Sequence, residues 1–127
     1  MSRNSQNTPL IETVHLKKYF DTGSGVLHAV DDVNLTISPQ KTLGVVGESG
    51  CGKSTLGRTI LRLTPATEGK ILYNGKDILS CNPNQLRELR KEMQIIFQDP
   101  YSSLNPRMTV SELIAEPLVV NRVMKNK

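Results

Sequence analysis

Val14 and Leu16 alternate with polar neighbours between Ile11 and Phe20, the period-two pattern of a half-buried strand. Asp21-Thr22-Gly23-Ser24-Gly25 has turn chemistry, and Val33, Leu35 and Ile37 then resume the alternation in a second strand. Ser38-Pro39-Gln40-Lys41 breaks it. Leu43-Gly44-Val45-Val46 is a short apolar run bounded by Gly47, as expected of a strand buried on both faces. From Lys53 the period changes. Leu56, Ile60, Leu61 and Leu63 fall at helical spacing, and Pro65 marks the expected end. Ile71–Tyr73 and Asp77–Leu79 flank Asn74-Gly75, a hairpin signal. Pro83 suits a first helical position ahead of Leu86 and Leu89. Met93 to Phe97 reads as another apolar strand, followed by a loop rich in Ser, Asn and Pro from Asp99 to Pro106. Thr109-Val110-Ser111-Glu112 matches a capping box, so a helix starts near Val110, and Pro117 is expected to interrupt it. Residues 1–10 read as a flexible leader. Strands, a glycine-rich turn, helices and a hairpin together predict an α/β core with an antiparallel addition.

The strongest chemical signal is Gly47-Glu48-Ser49-Gly50-Cys51-Gly52-Lys53-Ser54-Thr55, which satisfies G-x-x-x-x-G-K-[ST] at every position. Glycine is needed there because the backbone must wrap closely round phosphates. Successive N–H groups then form an anion-binding nest, extended by the free amides and dipole of the following helix. Lys53 can reach the β- and γ-phosphates as a positive charge. Ser54 can offer a hydroxyl to Mg²⁺, and Thr55 adds phosphate contacts. The motif lies between an apolar run and a helical pattern, as this mechanism requires. Cys51 reads as a small residue in a tight loop, open to alkylation but with no histidine partner for nucleophilic catalysis. A phosphate loop alone fits kinases, GTPases, helicases and transport ATPases alike.

Composition narrows the setting. In 127 residues, 37% are hydrophobic and 22% charged, an ordinary soluble composition for one small domain. No apolar run approaches the roughly 18 residues of a membrane-spanning helix, and the polar start has no signal-peptide core. Two cysteines, Cys51 and Cys81, cannot build a disulfide scaffold and suit a reducing compartment. The net charge of +4 is modest and its charges are interspersed, with no basic run carrying aromatics, so nucleic acid is not an expected partner. The basic end Lys125-Asn126-Lys127 reads as a solvated terminus.

Three stretches carry a resemblance: Ala29 to Leu35 (AVDDVNL), Gly44 to Arg58 (GVVGESGCGKSTLGR) and Ile95 to Val110 (IIFQDPYSSLNPRMTV). Together they resemble ABC-transporter ATPase subunits. More narrowly they resemble the ATP-binding subunits of bacterial oligopeptide and dipeptide importers, with nickel importers close by. The fold this implies is a partial P-loop NTPase core with an N-terminal antiparallel β-subdomain. By position, Gln98 matches the glutamine that approaches Mg²⁺ and the attacking water in that family, and Phe20 the aromatic that stacks on adenine. Tyr19, next to Phe20, is the alternative for that role. Asp99 to Arg107 would lie near the surface that receives the permease. The helical subdomain would begin over residues 107–127. The implied ligands are ATP and Mg²⁺. The implied partners are transmembrane permease subunits, a second ATPase subunit, identical or related, and indirectly an extracytoplasmic solute-binding protein. The implied location is cytoplasmic, peripheral on the inner face of the membrane.

The family's LSGGQ signature, its apolar strand ending in Asp-Glu and its switch histidine do not occur in these residues. His15 and His28 precede the phosphate loop and read as ordinary strand or loop histidines. The resemblance is therefore to the N-terminal part of such a subunit, expected to hydrolyse ATP poorly alone. Two other readings are a non-catalytic fragment with weak nucleotide binding and a small-molecule kinase. A kinase would be expected to carry a lid and acceptor site after the phosphate-loop helix, where this chain has a hairpin.

Overall fold

The computed structural model describes residues 8–99, 101–121 and 123, which fall into two compact units dividing between Arg87 and Glu88. The first unit is built on two long strands, β1 (Ile11–Thr22) and β2 (Gly25–Ile37). A two-residue loop, Gly23-Ser24, joins them, and Thr22 pairs with Gly25. After the helix α1 (Lys53–Ile60), β3 (Glu68–Tyr73) and the short β4 (Lys76–Asp77) complete an antiparallel sheet in the order β2-β1-β3-β4.

The alternation that identifies β1 and β2 is broken by register shifts after Thr13, Leu16 and Lys18. Side chains repair the ladder there. Thr13, 2% exposed, donates its hydroxyl to Val33 O and accepts from Leu35 N. Asn34 Oδ1 accepts from His15 N at 2.8 Å. The core of this unit is Leu16, Val30, Ile71 and Ile78, closed from α1 by Ile60 and Thr59. One helical face thus sits on β1 and β2 and fixes where the residues ahead of α1 lie.

Several sequence expectations need correction. Helix α1 ends at Ile60, short of Leu63 and Pro65. Arg62 turns left-handed (φ 53°), and Leu63 N closes back on Arg58 O at 2.9 Å. Arg62 is held there by Nη1, which donates to Ile78 O at 2.7 Å, so a tertiary bond stops the helix. The turn Asn74-Gly75 forms with positive φ at both residues, as a type I′ hairpin needs. Its second strand stops at Asp77, whose carboxylate accepts from Leu79 N and curls the chain away. Leu10, assigned to the leader, is tied into the sheet between Ile37 O and Asn74 N. Residues 1–7 of that leader and the Lys125-Asn126-Lys127 end lie outside the described residues.

Neither expected apolar strand forms. Residues 43–46 and 93–97 adopt no strand conformation; Val46 is 92% exposed and Ile96 96%. A strand exists only as a pairing. One buried on both faces needs neighbours on its edges and layers above and below, and an apolar run supplies neither.

Helix α2 (Pro83–Glu92) begins at Asn82, whose Oδ1 accepts from Gln85 N while Gln85 Oε1 accepts from Asn82 N. In the second unit α3 (Val110–Val120) starts with the expected capping box. Glu112 N donates to Thr109 Oγ1, and Thr109 N to Glu112 Oε2 at 2.7 Å. Pro117 does not interrupt it. The helix forgoes one internal bond and runs on to Asn121, whose N–H and Nδ2 both close on Pro117 O. The bonds from the Thr109 backbone and hydroxyl hold the Glu112 carboxyl below its ordinary range. Such a group stabilises the helix start above its unfolded pKa and loses that effect as pH falls through the folded value. Thr109→Ala is therefore expected to move the Glu112 side-chain NMR titration up towards the ordinary range. An unchanged titration would remove the Thr109 hydroxyl as a cause and leave the bond from the Thr109 amide, which alanine retains.

Candidate functional site: a glycine-rich loop facing an aromatic strand

Gly47–Thr55 leads from a segment without regular structure into α1, with Gly50 (φ 78°) and Gly52 (φ 96°) in the left-handed region. Gly52 is the N-cap of α1 and offers no side-chain cap. The first helical bond runs from Leu56 N to Gly52 O at 2.8 Å. The amides of Lys53, Ser54 and Thr55 precede it and have no partner within the helix. They point out of the helix end, where the dipole favours an anion. Lys53 folds back over the loop. Its ammonium donates to Gly47 O at 2.8 Å and to Glu48 O, and lies 3.5 Å from Cys51 Sγ. A positive charge therefore spans the loop while its carbonyls stay satisfied.

A cavity of about 310 Å³ opens at this helix end. Gly50–Thr55 line one side, and Phe20, Leu27, His28 and Ala29 of the β1–β2 hairpin line the other. The hairpin register brings these together, since Phe20 pairs with Leu27 and Tyr19 with His28. Ala29 lies hard against the loop: a Cβ on Gly52 would come 2.1 Å from Ala29 O. A second cavity of about 370 Å³ shares Cys51, Gly52 and Lys53 and extends along Val45 and Val46.

Of the residues singled out by sequence, Phe20, Gly50, Cys51, Gly52, Lys53, Ser54 and Thr55 line one cavity. Gly47 and Glu48 contribute through their carbonyls, and Ser49 is exposed at the turn. Tyr19 is engaged elsewhere. Its ring stacks on His28 at 3.9 Å, and its hydroxyl donates to Asp31. That bond is the main cause that holds the Asp31 carboxyl below its usual range, helped by His28, and it raises the Tyr19 phenol. Gln98 lies in the second unit, exposed at a bend. It is followed by Asp99, whose carboxylate accepts from Tyr101 N and Ser102 N.

Sequence reasoning missed Leu27 and His28 as cavity residues. A signal for them existed. With a two-residue loop at Gly23-Ser24, counting outwards from Thr22 and Gly25 places Leu27 opposite Phe20.

A family-wide sequence model described as ABC transporter matches residues 30–126. The chain belongs to the ABC transporter family. Among relatives of this ABC chain, the oligopeptide transport ATP-binding protein OppF of Bacillus subtilis is 51% identical over 119 residues, spanning 93% of this chain and 39% of that protein. OppF of Salmonella typhimurium is 50% identical, spanning 89% and 36%. The dipeptide transport ATP-binding protein DppF of Haemophilus influenzae is 42% identical, spanning 96% and 39%. The chain thus spans less than two fifths of the length of these relatives.

The ABC fold is equally clear in three dimensions. The dimeric structure of MJ0796, a bacterial ABC transporter cassette, superposes with a TM-score of 0.76 at 26% identity, covering 92% of this chain and 49% of that one. A post-hydrolysis structure of MJ0796 bound to ADP and Pi has the same score at 25% identity, with the same coverage. The expected fold class holds: an antiparallel β-subdomain joined to the first part of an ABC ATPase core. Among the described residues no helix is long and apolar enough to cross a membrane.

Proposed function

We propose that this chain binds MgATP as the N-terminal part of an ATP-binding subunit in an ABC importer for oligopeptides or dipeptides. The observation that carries the reading is the uncapped start of α1 opening into a cavity whose opposite wall carries Phe20. A nucleotide has that layout, with an aromatic base at one end and a polyanion at the other. Phe20 takes the base by stacking. The amides of Lys53, Ser54 and Thr55 and the Lys53 ammonium take the phosphates, with Gly47, Glu48, Ser49, Gly50, Cys51 and Gly52 shaping the loop. The donor set also fits Mg²⁺. Ser54 lines the cavity and offers a neutral hydroxyl, the ligand type this small hard cation accepts beside phosphate oxygens. When bound, Mg²⁺ would neutralise phosphate charge. The role of Gln98 rests on its match by position to the family's glutamine alone; a carboxamide suits a cation and an attacking water because it can ligate or accept without adding charge. The peptide substrate class rests on relatives named for oligopeptide and dipeptide transport.

The same reading gives the chain partners: membrane permease subunits, a second ATPase subunit and, through the permease, a solute-binding protein. It places the chain at the cytoplasmic face of the membrane.

Thermal melting of the protein with and without MgATP tests the binding step. A cooperative melt that rises with nucleotide concentration is expected, as ligand binding to the folded state alone requires. A melt unmoved by millimolar MgATP would remove it. Phe20→Ala should weaken ATP roughly 5- to 150-fold, the range of one base stack of about 1–3 kcal/mol. Tyr19→Ala should cost less, because Tyr19 lies outside the cavity. Equal losses for the two in a fluorescent-nucleotide titration would reject the assignment of Phe20.

A further inference from the structure

Phe20 is not alone at its end of the cavity. Lys18, two residues earlier on the same strand, holds its ammonium 4.6 Å from the centroid of the Phe20 ring. Lys18 and Phe20 stand two residues apart on β1, across the register shift that follows Lys18, and the ammonium still reaches the ring. Lys17, by contrast, is taken up by Glu68 at 2.8 Å. The Lys18 ammonium covers one of the two faces of the ring. Phe20 lines the cavity, and a cation on one face of an aromatic ring leaves the other face for a flat ligand.

We propose that Lys18 is a positioning residue for the nucleotide base, acting through Phe20. This rests on the nucleotide reading above and deepens it. Three physical effects act together. The cation draws on the electrons of one ring face and holds the ring in a single orientation, which lowers the entropy that a stacked base must remove. It leaves the opposite face as the stacking face. It also withdraws electron density from the ring, which favours an electron-rich purine over an electron-poor partner on that opposite face. Lys18 touches neither base nor phosphate in this arrangement.

The test separates base from phosphate. ATP and inorganic tripolyphosphate, each with Mg²⁺, are titrated into the protein and into Lys18→Met and Lys18→Arg, with binding read by calorimetry. Methionine keeps the length of the stem and removes the charge. Arginine keeps a cation able to lie on the ring. Lys18→Met should weaken ATP about two- to fivefold, the range of an exposed cation–π contact, and leave tripolyphosphate unchanged. Lys18→Arg should restore ATP binding. A Lys18→Met loss shared equally by tripolyphosphate would make Lys18 a general phosphate attractor and overturn the proposal. So would a gain in ATP affinity, which would show that the ammonium competes with the base for the ring. Unchanged ATP binding would overturn it as well. If the unaltered protein binds tripolyphosphate but gains nothing from the base, the assignment of Phe20 falls first and this inference with it.

Discussion

Lys53→Ala is expected to weaken MgATP binding by at least about a hundredfold, the equivalent of one to two hydrogen bonds to a charged group. Two losses combine. The first is the positive charge at the phosphate end of the cavity. The second is the brace that the ammonium forms between Gly47 O and Glu48 O, which keeps the loop folded over the helix start. Lys53→Arg should not rescue binding, because a planar five-donor fork cannot occupy the compact position between two carbonyls. The fold should survive both changes, since Lys53 is not part of the buried core formed by Leu16, Val30, Ile60, Ile71 and Ile78. Calorimetric titration with MgATP, together with a melting curve in its absence, reads both quantities. Binding within about threefold of the unaltered protein would dismiss Lys53 from the phosphate site.

Gly52→Ala is expected to have the larger effect on the molecule as a whole. An alanine Cβ there would lie 2.1 Å from Ala29 O, and the residue would have to hold φ 96°. The obstructing atom belongs to the backbone of β2, so no side chain can swing aside to make room. Either the hairpin or the start of α1 must move. Both support the cavity, and α1 also supplies Ile60 and Thr59 to the core. A loss of about 3 kcal/mol or more is expected, with a melting temperature lower by more than about 10 °C and nucleotide binding lost with it. Gly57→Ala is the control. A Cβ at Gly57, inside α1, meets nothing within 4 Å. Alanine should stabilise that helix by about 0.5–1 kcal/mol. Equal melting temperatures for the two variants would mean that the loop does not press against β2.

The phosphate loop was legible in the sequence because its chemistry is local. The backbone path that places amides round an anion is set by glycines at fixed spacing and by a helix starting at the right residue. The capping box at Thr109 and the Asn74-Gly75 turn were legible for the same reason, since each closes within four residues. The existence of β1 and β2 was legible from their alternation and the turn between them, whereas the three register shifts along the pair, bridged by Thr13 and Asn34, were not.

Other features depended on partners distant in the chain. Whether Tyr19 or Phe20 faces the cavity could not be read from two adjacent aromatics. Only the pairing of Tyr19 with His28, and the bond of its hydroxyl to Asp31, engages the one and leaves the other to line the cavity. The end of α1 was set by Arg62 reaching Ile78 O, a bond across 16 residues. The apolar runs at residues 43–46 and 93–97 show the converse. Their composition carries a strand preference, yet a strand requires hydrogen-bonding neighbours that composition cannot provide, and neither run adopts strand conformation. By itself, then, the sequence determined the phosphate-binding chemistry and the local elements that carry it. The tertiary structure alone decided which aromatic faces the cavity, where α1 stops and which apolar runs become strands, because each depends on contacts between residues that chain order leaves apart.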